Sequence, residues 1–158
     1  MTNELKQEYT LKITQANKSQ MVVLVYDISL SYIQEAKELL EQEKYPEYKL
    51  AINHVQNCIS DLMSSLNFDY ELSYRLMQLY TYANRELIRA SIHKKAEHLL
   101  HAESVLQSLQ AAFSQISKED DSKPMMENAQ TIVAGLTYGR NTLNESLNGQ
   151  SASRGFCV

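Results

Sequence analysis

Hydrophobic positions along this chain fall on helical spacings, and one stretch carries more of them than a single interface can use. Met21 to Leu30 reads Met-Val-Val-Leu-Val-Tyr-Asp-Ile-Ser-Leu, followed by Ser31, Tyr32 and Ile33. It contains no Gly or Pro and runs into good helix formers, so it reads as helix. Met21, Leu24, Val25, Ile28 and Tyr32 follow the i, i+3/i+4, i+7 spacing of one face, while Val22, Tyr26, Ser29, Leu30 and Ile33 follow it on a second. A surface helix carries one apolar stripe ~100° wide, and a helix apolar most of the way round needs cover on two sides. The protein's own core supplies one cover. The pattern asks for another.

Around that stretch the chain reads in order. Residues 1–17 are polar with spaced apolar positions, Leu5, Tyr9, Leu11 and Ile13, show no helical stripe, and read as an arm. Asn17 with Gln20 has the form of a capping box, with Ala16 placed to staple against Met21. A helix then runs to about Glu43. Tyr45-Pro46 ends it, and Pro46 suits the first turn of the next helix, over about Pro46–Leu66. In that helix Ala51, Val55, Cys58, Leu62 and Leu66 make a row broadened by Ile52, Ile59 and Met63. Asn67-Phe68-Asp69 is a turn with Asp69 as the expected N-cap. A third helix over about Tyr70–Ala90 carries Leu72, Leu76, Leu79, Ala83, Leu87 and Ala90 as an a/d seam. A fourth, over about Lys94–Ile116, carries Leu99, Ala102, Leu106, Leu109, Phe113 and Ile116.

The expected fold is therefore all-α: an antiparallel up-down four-helix bundle, roughly 30 to 40 Å long at 1.5 Å per residue, with an N-terminal arm and a fifth or broken C-terminal helix. The arm is residues 1–17 and the bundle 18–117. A charged linker and an extra helical segment weakened by Gly135 and Gly139 occupy 118–147. Residues 148–158 form a Gly/Ser-rich tail expected to be disordered.

Composition narrows the function classes. With ten Tyr, no Trp, four Gly and two Pro, the 158 residues suit helices, and a formal charge of −4 with mixed signs leaves no footprint for nucleic acid or a polybasic membrane contact. Residues 2–8 are polar where a secretory leader would be apolar, and the longest apolar run, Met21 to Tyr26, is far short of the ~20 residues of a membrane span. Cys58 and Cys157 form no metal or redox motif. A cytoplasmic protein that does not enter a membrane is expected.

Candidate chemistry is sparse. A carboxylate-bridged di-metal bundle needs Glu-x-x-His pairs, and the chain has none. His93, Glu97 and His101 recur on one helix face with His98 beside them, but no second helix supplies an obvious further ligand. The face reads as solvated, and no metal or cofactor is expected. No phosphate-cradling Gly-rich loop and no Ser/His/Asp or Cys/His signature is present, so no enzyme is expected. Asp27 is the one charge inside the apolar stretch and is expected to hydrogen-bond a helix terminus or a tyrosine hydroxyl. The many tyrosines near apolar rows, together with the over-apolar first helix, suggest a groove that takes a partner helix.

Two motifs carry a family resemblance. Gln15 to Leu30 is similar to the pattern Thr-Ala-Ser-Pro-x-Glu-Leu-Ile-x-Met-Leu-Tyr-Asp-Gly-Ala-Ile of the bacterial flagellar secretion chaperone FliS family. Tyr26-Asp27 and the hydrophobic positions are kept, but Gln15, Lys18 and Ile28 replace the Thr, Pro and Gly. Arg75 to Ser91 resembles a second family pattern, Asn-Leu-x-x-Leu-Tyr-x-Tyr-Met-x-x-x-Leu-x-x-Ala-Asn, through Leu76, Leu79, Tyr80, Tyr82, Leu87 and Ala90. The resemblance covers about residues 9–116, with Phe113 where the family usually has a Trp nearby.

The resemblance implies an export chaperone that binds the disordered C-terminal segment of flagellin along a hydrophobic surface. It further implies delivery to a flagellar export gate component, and the anti-sigma factor FlgM as a further partner. Carried onto this chain, Met21, Val22, Val25, Tyr26, Leu79, Tyr80 and Tyr82 become the expected client surface or its support. Tyr9 and Ile13 become part of an arm that covers it. Within the Met21–Leu30 stretch, the Val25/Ile28 face is expected in the core and Val22 with Tyr26 on the surface covered in turns. The alternative is a structural or adaptor bundle for another amphipathic helix.

Overall fold

The computed structural model describes residues 1–126. Five helices make up these residues: α1 (Asn3–Gln15), α2 (Lys18–Glu41), α3 (Tyr45–Ser64), α4 (Glu71–His93) and α5 (Ala96–Lys118). The expected helical content after Pro124 and the tail lie, from residue 127 on, outside the described residues. Among the described residues no helix is long and apolar enough to cross a membrane.

The helix ends follow local chemistry. The Asn17 side chain accepts from the Gln20 amide at 2.9 Å, and Gln20 accepts from the Asn17 amide at 3.0 Å, so the capping box forms as expected. Two turns use a left-handed residue that is not glycine, Glu43 (φ 56°) and Lys94 (φ 53°). The Lys94 ammonium sits 3.8 Å from the centre of the Tyr45 ring, which ties the α4–α5 turn to the start of α3. Asp69 does not cap α4. Its amide donates to the Asn67 side chain at 3.0 Å, and Tyr70 stands at the N-cap position.

The helices form a bundle in which α2 packs on α3 and α5, and α4 packs on the same two neighbours. Contacts between α2 and α5 step in opposite directions along the two helices. Asp27 accepts from Gln110 at 3.0 Å, and Lys37 reaches Glu103 at 2.6 Å, so these helices run antiparallel. The Gln110 amide is thus the partner of Asp27, in place of the expected helix terminus or tyrosine. Between α3 and α4 the Tyr48 hydroxyl donates to the Ala90 carbonyl at 2.8 Å, and Gln56 donates to Asn84 at 2.9 Å. That pair is antiparallel too.

The core takes one row from each bundle helix. Tyr26, Ile33 and Ala36 of α2 meet Ile52, Val55 and Ile59 of α3, Tyr80, Ala83 and Leu87 of α4, and Leu99 and Leu106 of α5. The α2 rows are exchanged relative to the sequence expectation. Tyr26 is fully buried and faces the core with Ser29 and Ile33, whereas Val25 and Ile28 are only half-buried. The α4 seam also shifts: Tyr80 enters the core, and Leu72 and Leu79 are left exposed. Both changes have one cause. The Tyr26 and Tyr80 hydroxyls hydrogen-bond each other across the bundle centre, so each ring can be buried without leaving a polar atom unpaired. Among the described residues no buried side-chain nitrogen or oxygen lacks a partner.

The arm is a helix, which its polar pattern did not announce. The Thr2 hydroxyl caps α1, and none of its residues is buried. Its helicity does not come from an apolar stripe of its own. It lies along α2, with the Tyr9 hydroxyl 3.0 Å from the Ser31 hydroxyl and the N-terminal ammonium 2.7 Å from Glu35.

Two outcomes follow from the buried phenols. Tyr26→Phe strands the Tyr80 hydroxyl and should cost about 1–3 kcal/mol of unfolding free energy. The Tyr26→Phe/Tyr80→Phe double variant should cost less than the two single variants summed, and additive losses in chemical denaturation would mean the hydroxyls are not coupled. Burial makes the phenols weaker acids, raising the pKa of Tyr48 to about 12 and those of Tyr26 and Tyr80 as well. An unfolded tyrosine ionises near pH 10, so below ~10 both states keep the proton and this contribution is intact. Above it the unfolded chain releases protons that the folded bundle retains, so stability should fall as pH rises from about 10 toward the folded values. Urea midpoints measured across that range test this, and a midpoint unchanged up to about pH 11 would contradict it.

Candidate partner-binding groove

An apolar groove of about 460 Å³ opens where α2, the end of α3 and the start of α4 converge. Met21, Val22 and Val25 of α2 line it together with Leu62 of α3 and Leu66 just after that helix. Leu72, Leu76 and Tyr80 of α4 run along it, and Phe113 of α5 and Met125 complete the lining. Its deep residues are core residues: Leu62, Leu76 and Tyr80 are all buried. Its rim is exposed, with Tyr70 at 66% and Leu72 at 58% of their accessible surface. Polar lining is limited to groups such as Lys18, Asp61, Ser65 and Asn67.

The groove is held in shape from two sides. Behind it, Tyr26 bonds the Tyr80 hydroxyl, and its ring centre lies 5.7 Å from that of Phe113. At its end, the segment after α5 folds onto the α1–α2 junction. The Asn17 side-chain amide donates to the Asp120 carbonyl at 2.9 Å and the Ser122 carbonyl at 3.3 Å. Ser19 donates to the Asp120 carboxylate, and the Met125 amide donates to the Ala16 carbonyl at 3.0 Å. Hydrogen bonds from Ser122 and then Ser19 favour the ionised Asp120 carboxylate and hold its pKa below the ordinary value. Asn17 therefore does two jobs. It caps α2 and it fixes the segment that brings Met125 to the groove.

Of the residues proposed from sequence, Met21, Val22, Val25 and Tyr80 line the groove. Tyr26 lies behind it, fully buried. Leu79 and Tyr82 are exposed on α4 at 40% and 36% and are not among its lining. Tyr9 and Ile13 are half-buried on α1, which lies on α2, and neither lines the groove. Sequence reasoning missed Leu62, Leu66, Leu72, Leu76 and Phe113, all of which it had assigned to core seams. The available signal was the density of leucines on both sides of the Asn67–Asp69 turn, more than a helix end can bury.

A second cluster lies farther along α4. Glu86 is buried at 2% exposure, and its Oε2 is 2.9 Å from His98 Nδ1 and 3.0 Å from His101 Nδ1. Arg89 donates to its Oε1 at 2.7 Å. The hydrogen bonds from His98, His101 and Arg89 outweigh burial and hold the Glu86 carboxyl at about 2. His93, His98 and His101 do gather, with ring centres 5.8 and 6.3 Å apart in succession, but Glu97 is not part of the cluster. Glu86 of α4 meets His98 and His101 instead, a partner from a second helix on a face expected to be solvated.

Comparison with known proteins supports one assignment. The family model described as flagellar protein FliS matches residues 1–120. The flagellar secretion chaperone FliS of Bacillus subtilis (strain 168) is 24% identical over 103 residues, which span 65% of this chain and 77% of that protein. The residues matched by the family model contain every described helix, the capping box and the groove lining up to Phe113. The chain belongs to the FliS family of flagellar proteins.

Proposed function

We propose that this chain is a flagellar export chaperone and that its groove takes an amphipathic helix from the C-terminal segment of flagellin. The single observation that carries this reading is an apolar groove in a family member, open at a leucine- and tyrosine-rich rim while its floor is continuous with the core. Such a groove suits the helix-in-groove mode, in which a client lays its apolar stripe against a preformed surface. Met21 and Met125 add unbranched side chains that can adjust to the client. Sequestering that stripe in the cytoplasm would keep the client from assembling early and leave it available to the export gate.

The exposed Leu79 and Tyr82 on α4 supply additional apolar surface for a client longer than one helix. Helix α1 acts as a removable cover of α2. It buries none of its own residues and is held by few polar contacts, so displacing it costs little.

Calorimetric titration with a C-terminal flagellin peptide should show binding with a negative heat-capacity change. Leu72→Asp places a charge on the exposed rim and should weaken binding by at least about 10-fold, equivalent to ~1.4 kcal/mol, while leaving the thermal midpoint nearly unchanged. Absence of binding at ~50 µM peptide would remove flagellin as the client. Capture of a different amphipathic helix in the same groove would favour an adaptor bundle.

A further inference from the structure

We propose that Glu86, His98 and His101 form a binding site for one divalent transition-metal ion of the Zn²⁺ type, bridging α4 and α5. The three ligand atoms, one from each side chain, already lie within 4.8 Å of one another. Both imidazoles present the same nitrogen, Nδ1, to the same carboxylate oxygen, at 2.9 and 3.0 Å. Ligand bonds of 2.0–2.2 Å in a tetrahedral site put neighbouring donor atoms about 3.3 Å apart, so the two carboxylate–imidazole separations need to open by only a few tenths of an ångström, with the two imidazole nitrogens already within 4.8 Å of each other. Two imidazoles and a carboxylate are a donor set that suits Zn²⁺ and its neighbours over Mg²⁺ or Ca²⁺.

The surroundings favour coordination through Glu86 Oε2. Arg89 occupies the other oxygen, Oε1, and so fixes the carboxylate orientation and leaves one oxygen to the metal, the role of an outer-shell partner. Arg89 is half-exposed, with its side chain at 51%, so solvent reduces its repulsion of an incoming cation. His101 is 46% exposed and gives the ion a path from solvent, while Glu86 and His98, at 3% and 18%, form the buried side of the site. Water completes the coordination. Coordination through Nδ1 requires the tautomer that carries its proton on Nε2, which leaves the Nδ1 lone pair for the ion.

The site stands apart from the groove. Glu86 follows Tyr80, the groove residue of α4 nearest to it in sequence, by six residues, about 9 Å along the helix axis. A metal here clasps the α4–α5 pair near its turn and does not touch the client surface. Its signature is metal-dependent stability of the bundle.

The test is titration of the full-length, tag-free chain at neutral pH with Zn²⁺ alone, read by calorimetry and by the thermal midpoint. Expected is one ion per chain and a rise in the midpoint. His101→Gln keeps a donor for Glu86 and sits at the exposed edge, so the bundle should fold, yet affinity should drop at least about 10-fold and the midpoint rise should vanish. His54→Gln, on α3, should change neither. Binding that is not saturable below ~0.1 mM, or that survives His101→Gln undiminished, or that is lost equally in His54→Gln, would overturn the site.

Discussion

A helix with apolar residues most of the way round cannot rest on one neighbour, and the arrangement of this bundle is the answer to that constraint. Helix α2 gives its Tyr26–Ile33 row to the core, flanks α3 and α5, and receives α1 along part of what remains. At its first two turns, where Met21, Val22 and Val25 stand beside the end of α3 and the start of α4, the cover runs out and a groove forms. The cover that α2 needs and the site that a client would use are therefore one problem: among the described residues, neighbouring helices take most of its apolar surface and a groove remains at its start.

Burying two tyrosines at the bundle centre makes this possible. The Tyr26 and Tyr80 hydroxyls satisfy each other, which lets both rings enter the core and turns α2 and α4 so that Val25 and Leu72 face the groove. Asn17 extends the same logic to the groove's end. One side chain caps α2 through its oxygen and holds the Asp120–Ser122 carbonyls through its nitrogen. Both devices pair polar groups beside the groove and so help to hold its walls in place.

Much of the fold was legible because it rests on local rules. The capping box, Pro46 in the first turn of α3 and the apolar spacing of α3 and α5 give helix positions within a few residues. What could not be read depends on pairing across the bundle. Periodicity alone cannot choose between Leu79 and Tyr80 for the core, since the two are adjacent and the choice turns on a hydroxyl supplied by Tyr26, 54 positions away. Nor does it reveal α1, whose helix lies on a neighbour and lacks a stripe of its own. The Glu86 cluster was half visible. The histidines at 98 and 101 share a face, but their carboxylate comes from the neighbouring helix, and only the α4–α5 packing brings it within 3.0 Å.

The central claim is that the first turns of α2 present apolar surface at the groove and that the client covers it. Hydrogen exchange of the chain with and without a C-terminal flagellin peptide tests this most directly. The account predicts added protection in the segments around Met21–Val25, Leu62–Leu66 and Leu72–Tyr80, with less change through the middle of α3, which does not line the groove. Protection confined to the outer faces of α3 or α5, with the groove segments unchanged, would contradict it.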